Sequence, residues 1–423
     1  MRVEALMSMA CPSCGGKIEI AYLPKLNAAQ EGEDIRFGIA ECKCREYPIV
    51  SGVLIFKQLD GSQAAIKAIK TAKTGQELEK SALIFMSERF VRLVLRFELF
   101  LKHFLHLDLN LSFWKLASFI ENSPFATYAK YRFTCPSLIS AMPFLPAVKE
   151  SLKTRGKILD LGSGMGHLSY LLSGIVSAED LYCADISFRG LYFTRRYMAG
   201  KGASCILLDA MEKLPFSDGF FRAVISMDAL QYIDEKDMIA KEMDRTLDKS
   251  GLLVLVHIHN KFAPFRADGL PLTPEGYLKL FPPEYHFRSF AERTLMDIMF
   301  SGKGINLEKG DPTAKVNASD AISMIGSRSS HYFREYPSYF DASFSRHSRF
   351  ILDPLYRKRK GKYVRVFPCN RYEEEYYLIK DYFPEMIDPD TPEEELKRKL
   401  ILIPVPENYM KKGEQLNYLR LWR

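Results

Sequence analysis

Between Lys157 and Ile258 the chain repeats one pattern: short apolar runs, KILDLG, DLYCADIS, CILLDA, FRAVISM and LLVLVHI, each followed by a helical pattern or a loop. Runs this short, rich in Ile, Leu and Val and separated by helix-length stretches, fit a parallel sheet covered by helices and little else. AISMIGSR, at 321–328, is expected to supply a last strand beside the stretch INLEKGD. After about residue 330 the alternation stops and tyrosine becomes frequent.

The first segment, up to about Leu59, has a different texture. Four of the chain's eight cysteines lie in its first 44 residues, too few overall for a disulfide scaffold and too clustered to be incidental. In Cys11-Pro-Ser-Cys14-Gly-Gly a tight turn lets two thiolates grip one ion, and Cys42-Lys-Cys44 offers two more. Four sulfurs suit tetrahedral zinc with no open position, so the ion is expected to be structural. The polar stretch Asp60 to Glu79 reads as a linker leading into helix. From Ser81 to Leu107 a charged stripe, Glu88, Arg89, Arg92, Arg96 and His103, is set in a wide apolar face, which predicts an amphipathic helix. That helix is expected to pack on its own protein or on a second copy, with peripheral contact to a membrane as the alternative, because it holds no apolar run long enough to span one.

Composition narrows the class of protein. The 423 residues include 59 Lys and Arg against 52 Asp and Glu, a net +7 that permits an anionic partner without requiring one. MRVEALMSMA lacks the apolar core and cleavage site of a secretory signal, so a soluble, cytoplasmic protein is expected.

The site is read from the ends of the strands. KILDL runs into Gly162-Ser163-Gly164-Met165-Gly166, a turn almost free of side chains at the carboxyl end of the first strand, where open α/β sheets bind ligands. The spacing is GxGxG, with His167 where a dinucleotide fingerprint wants glycine, which counts against NAD. Asp185 ends the second run and can accept hydrogen bonds from ribose hydroxyls. Asp209 and Ala210 end the third and offer a carboxylate and a backbone amide to an adenine ring.

In this order ILDLGSGMG, ADIS, LLDAMEKLPFSDGFFRAVIS and KEMDRTLDKSGLLVLV resemble the successive motifs of the class I S-adenosylmethionine-dependent methyltransferases, over about 145–260. The resemblance implies an α/β, Rossmann-like methyltransferase sheet. It also implies that Gly162, Ser163, Gly164 and Gly166 wrap the methionine end of S-adenosylmethionine, that Asp160 lies beneath it, that Asp185 holds the ribose, and that Asp209 with Ala210 reads adenine. Arg222 and Ser250 depart from the family pattern at positions away from the cofactor. Cys11 to Phe56 resembles the small zinc ribbons of the tRNA-methyltransferase-activator type: Tyr47, Pro48, Ile49 and Gly52 match its closing motif, while Ser51, Leu54 and the CxC spacing depart from it.

These readings divide the chain into a zinc ribbon (1–59), a helical connector or cap (60–144), the methyltransferase domain (145–329) and a C-terminal α+β extension (330–423). A methyl transferred in line needs no covalent enzyme intermediate, and a base only where the acceptor must lose a proton. Asp228, His257 and His259 follow their strands and are the candidates, with His259 the choice. Tyr128 and Tyr131 are read either as closing over the cofactor, as aromatic residues in this region do in similar enzymes, or as packing residues. The favoured acceptor is a small molecule in a pocket capped by the flanking segments, with Tyr277, Phe281 and Phe287 in its wall. The alternative acceptor is RNA, held by the ribbon and by the basic run Arg357 to Lys362 between Tyr356 and Tyr363. In the C-terminal extension, Thr391-Pro392-Glu393-Glu394 reads as a helix start.

Overall fold

Among the described residues eleven strands pair into one mixed sheet. In chain order they are β1 (Glu19–Tyr22), β2 (Gly38–Glu41), β3 (Glu46–Val50), β4 (Val53–Ile55), β5 (Ile158–Leu161), β6 (Leu181–Asp185), β7 (Ser204–Leu207), β8 (Phe221–Met227), β9 (Leu247–His259), β10 (His286–Ala291) and β11 (Ala321–Ser327). Across the sheet they lie β1-β2-β3-β4-β7-β6-β5-β8-β9-β11-β10. The computed structural model describes residues 1–26, 30–31, 33–87, 89–107, 109–119, 124–152, 156–263, 269–342 and 349–411.

The five apolar runs of the sequence are β5 to β9, all parallel to their neighbours within that set. Every residue of β5 and β7 is buried, as a strand covered on both faces requires. Alternate residues feed two cores: Leu252, Val254 and Val256 pack into one, Leu253, Leu255 and Ile258 into the other. The architecture is the expected Rossmann-like methyltransferase fold, with α+β strands at the C-terminal end.

β11 runs antiparallel to β9, and its other neighbour is β10, not the INLEKGD stretch. β10 occupies that edge, and the INLEKGD stretch passes along β10 instead, with Gly310 close against Ser289. HFRSFA escapes a sequence reading because exposed His286 and half-buried Arg288 interrupt its apolar pattern.

β1 to β4 form an antiparallel meander. Ser51 and Gly52, both with left-handed φ (52° and 79°), make the two-residue turn between β3 and β4, the geometry a twisted hairpin favours. β4 then pairs in parallel with β7, Leu54 opposite Ile206, so the Cys-bearing meander continues the central sheet. The stretch read as linker is instead two helices, Ser62–Thr71 and Gly75–Lys80. Ala65, Ile66 and Ile69 of the first are buried, a narrow apolar stripe that the surrounding polar residues conceal.

The amphipathic segment divides into a 3-10 turn, Ser81–Phe85, and helix α1, Arg89–Phe104. Glu88 lies outside the described residues. Val91 and Leu95 of α1 are buried, while Leu93, Phe97, Phe100 and Phe104 face outward. Among the described residues no helix is long and apolar enough to cross a membrane.

In the C-terminal region β12 (Phe350–Leu352) pairs with β16 (Leu402–Pro404), and β13 (Tyr356–Arg359), β14 (Lys362–Arg365) and β15 (Met386–Ile387) form a small sheet. The basic run is a hairpin that turns at Lys360-Gly361, both with left-handed φ. Tyr356 is buried and donates to the Pro384 carbonyl at 2.8 Å, so it is not available to stack on a base. The helix expected after Pro392 spans Glu393–Arg398, where Lys397 pairs with Glu393 and Glu394 but no side chain caps the N-terminus.

Candidate cofactor and acceptor sites

At β5 the strand order reverses, with β6 on one side and β8 on the other. A crevice opens at such a switch point, beyond the carboxyl ends of the strands. Here it is a cavity of about 480 Å³, lined by the turn after β5, Asp185 and Ile186, the stretch Leu208 to Met211, Asp228 and Tyr232, with Tyr128 and Arg132 across its mouth.

The three glycines of the turn have left-handed φ of 77°, 54° and 84° for different physical reasons. A Cβ on Gly162 would lie 2.4 Å from the Ala229 side chain, and one on Gly166 2.7 Å from the Thr194 hydroxyl. Gly164 meets nothing within 4 Å, so its bare backbone faces the cavity. The Ser163 hydroxyl is buried and has no hydrogen-bond partner, which a polar ligand atom in the cavity would supply.

Asp185 Oδ2 accepts from the Gly164 amide and Oδ1 from the Ser187 amide, both at 2.8 Å. The Ile186 amide also interacts with this carboxylate, which still leaves acceptor capacity for a ligand hydroxyl. Burial raises its pKa above the usual carboxylate value, against the pull of these amides. Asp209 accepts from Lys57 Nζ at 2.8 Å and from the Met211 amide at 3.0 Å. Burial opposes ionisation there, but the Lys57 ammonium outweighs it and holds the carboxyl below its ordinary range. Ala210 lies beside it in the cavity wall.

Asp160 does not line the cavity. It is buried beneath the turn, accepts from Ser169 Oγ at 2.5 Å, and is pushed up to about 7 chiefly by burial, with the Asp185 charge adding. Gly166 likewise supports the turn from outside the wall. Sequence reasoning missed Ile186 and Met211, apolar side chains left 56% and 44% exposed at the cavity, where a flat ring would cover them. It also missed Lys57, whose role depends on β4 lying beside β7.

A second cavity of about 510 Å³ shares Tyr232 with the first. His257, His259, Glu292 and Asp320 line it, and Arg371 and residues 374–378 of the C-terminal region cover it. Tyr277, Phe281 and Phe287 do not reach either wall of this pair. Tyr277 and Phe281 pack in the core on one face of the sheet with Phe287 against them, and the Tyr277 hydroxyl donates to the His259 carbonyl at 3.0 Å.

Asp228 stands between the cavities. Tyr128 and Arg132 donate to its Oδ2, Arg132 at 2.9 Å, while Gln231 donates to Oδ1 at 2.7 Å. His259 Nε2 lies 3.8 Å from Oδ1. His257 Nδ1 is paired with Glu292. Burial lowers the His257 pKa, but the Glu292 and Asp228 charges outweigh it and raise it above the ordinary histidine value. Asp228 and His257 both have left-handed φ, 54° and 49°, a strain of ~1 kcal/mol each for residues with a Cβ. Of the two tyrosines expected to close over the cofactor, Tyr128 is at the first cavity, whereas Tyr131 is buried against Trp114 and Tyr372.

The four N-terminal cysteines gather at one point. Their Sγ atoms lie 3.5 Å (Cys11 to Cys44), 3.8 Å (Cys14 to Cys42) and 3.2 Å (Cys42 to Cys44) apart. Tetrahedral zinc with bonds of about 2.3 Å needs edges of about 3.8 Å, so the set fits one ion. Burial works against ionisation of Cys11, but the Tyr47 hydroxyl, 2.9 Å from Sγ, and the Cys14 amide draw its thiol down to about 6.

Residues 159–255 match the family described as "Methyltransferase domain". Over this stretch the chain is similar to that family. The ubiquinone/menaquinone biosynthesis C-methyltransferase UbiE of Neisseria meningitidis is 31% identical over 115 residues, 27% of this chain and 47% of that protein. The chain thus spans about half the length of the curated relatives it matches. Two solved structures resemble the domain more distantly. A TehB-like S-adenosylmethionine-dependent methyltransferase from Corynebacterium glutamicum is 14% identical, covering 43% of this chain and 88% of that one with a TM-score of 0.31. A complex of the Haloferax volcanii Trm112 methyltransferase activator with a methyltransferase is 17% identical, covering 46% and 93% with a TM-score of 0.33. At these scores neither likeness bears on the Cys-bearing meander or on the acceptor.

Proposed function

We propose that this protein moves a methyl group from S-adenosylmethionine to a small-molecule acceptor. The observation that carries the reading is the first cavity, where the open backbone of Gly164, the unpartnered Ser163 hydroxyl and the Asp185 carboxylate meet beside exposed Ile186 and Met211. When bound, S-adenosylmethionine supplies a sulfonium methyl already activated for displacement. The chain's residues then have a positioning task. Gly162, Ser163 and Gly164 receive the methionine end, with Gly166 bracing the turn behind them, Asp185 receives the ribose, and Asp209 with Ala210 the adenine. Tyr128 and Tyr232 limit water at the point where the cavities meet.

The acceptor occupies the second cavity, enclosed by the C-terminal region. A small metabolite fits about 510 Å³, and the matched curated relatives act in quinone biosynthesis by name. His259 faces this space and receives the proton that an oxygen or nitrogen acceptor gives up, with Asp228 beside it. Cys11, Cys14, Cys42 and Cys44 hold a structural zinc. The chain reads as ribbon, connector, methyltransferase domain and C-terminal cap, with boundaries near 59, 144 and 329.

Incubating the full chain with methyl-labelled S-adenosylmethionine and a fractionated cell extract tests the reading. Label entering a low-molecular-weight fraction supports it. Label entering RNA, or no transfer to any fraction, rejects it.

A further inference from the structure

The same two strand ends bring together ligand chemistry that methyl transfer does not by itself call for. We propose that Asp228, His257 and His259 form a second metal site, for a divalent first-row transition ion, in the wall between the two cavities. One ligand atom from each residue lies within 4.8 Å of the other two. Two imidazoles and one carboxylate are a donor set for such ions that leaves coordination positions open.

The surroundings are those of a ligand set already oriented. Glu292 occupies His257 Nδ1, which leaves Nε2 as the coordinating nitrogen. A carboxylate behind a ligating histidine fixes its tautomer and strengthens it as a donor. Asp228 is held by three donors, Tyr128, Arg132 and Gln231. Tyr128 and Arg132 fill Oδ2 and Gln231 takes one lone pair of Oδ1, so the remaining pair of Oδ1 is the one on the side of His259. Asp228 and Glu292 supply two negative charges against the ion and Arg132.

Backbone geometry serves the same grouping. The β9–β11 register shifts between Leu255 and Ile258, a bulge that carries His257. Bulges beside active sites re-aim a side chain. Asp228, at the end of adjacent β8, is likewise left-handed, so two of the seven non-glycine residues with positive φ among those described are members of one three-residue cluster. The spacing is wider than the ~3 Å between neighbouring ligand atoms around an ion with bonds of about 2.1 Å, so binding requires the three side chains to draw together. A bound ion would occupy the His259 lone pair and would lower the pKa of an acceptor coordinated to it, the proton passing to solvent, so His259 itself receives the proton only in the ion-free chain.

The test is zinc stoichiometry of the full chain by elemental analysis after equilibration with zinc chloride and removal of excess. The expected result is two ions per chain, falling to one in His259→Gln and in Asp228→Asn, with the cysteine-bound ion retained. One ion in the unaltered chain, or two ions in both variants, overturns the proposal. Circular dichroism on the same samples shows that the variants are folded, and His257→Gln provides a third variant should either fail. Cobalt substitution gives an independent readout: a second spectral component lacking thiolate-to-metal charge transfer is expected, and a purely thiolate spectrum counts against the site. S-adenosylmethionine binding, measured by calorimetry on the same protein, is separate: its absence with two ions retained rejects methyl transfer and leaves the metal site standing.

Discussion

Lys57, the second residue after β4, places its ammonium 2.8 Å from the carboxylate of Asp209 at the end of β7. The segment that follows the Cys-bearing meander therefore pairs with a carboxylate in the wall of the first cavity. Replacing Lys57 with Met leaves Asp209 without its partner at a site where the carboxylate side chain is only 14% exposed. S-adenosylmethionine affinity, measured by calorimetry, is expected to fall about 5- to 10-fold, the ~1 kcal/mol of one charge-assisted hydrogen bond.

Gly162 and Gly164 should respond differently to the same substitution. Gly162→Ala forces a methyl into the Ala229 side chain and is expected to cost about 2–3 kcal/mol of stability in denaturant unfolding. Gly164→Ala has free space around it and pays only its φ, about 1 kcal/mol, but its methyl projects into the cavity. Its unfolding midpoint should stay near that of the unaltered chain while cofactor affinity drops more than about tenfold.

Burial raises Asp160 from an unfolded value near 3.8 to about 7. The folded state therefore binds this proton more tightly than the unfolded chain does. The stabilisation is complete below about pH 4 and is lost as the pH climbs through 7. Asp160→Asn, which cannot ionise, should flatten this part of the stability profile and melt higher than the unaltered chain at pH 8. An unchanged slope between pH 4 and 7 would argue against a buried, protonated Asp160.

Chelation of zinc from the proposed Cys11, Cys14, Cys42 and Cys44 site is expected to lower the melting temperature and, through β4 and β7, to weaken S-adenosylmethionine binding as well. Cys42→Ser should reproduce both effects without chelator. Loss of stability with unaltered affinity would mean that the meander and the cavity are energetically independent.

His259→Ala should slow turnover about 10²-fold with S-adenosylmethionine affinity unchanged, since the ring faces the second cavity and not the first. Undiminished turnover removes His259 from the chemistry.

Much of the central sheet was legible because each of its five parallel strands carries a short run rich in apolar residues, separated from the next by a helix-length stretch or a loop. Asp185 and the glycine turn could be found because each closes a recognisable apolar run, and the pairing of β5 with β6 brings the two together. Lys57 and Glu292 could not: each reaches its partner across 152 and 35 residues of sequence, through strand pairing that no local pattern encodes. The helix Ser62–Thr71 was hidden by its composition, since a three-residue apolar stripe among lysines, serine and glutamine looks like solvated chain. The tyrosines were ambiguous for a related reason. Tyr128 and Tyr131 differ by three positions, about one helical turn, yet one meets a cavity and the other a core.

The parallel pairing of β4 with β7 bears on how the molecule can be dissected. A fragment cut at the start of the methyltransferase domain would present β7 as a bare border, its amide and carbonyl groups unpaired along Cys205 to Leu207. Such a border recruits any extended segment that meets it. Shortened versions of this protein should clump in proportion to their concentration, and restoring residues 46–57 should be enough to keep them dispersed.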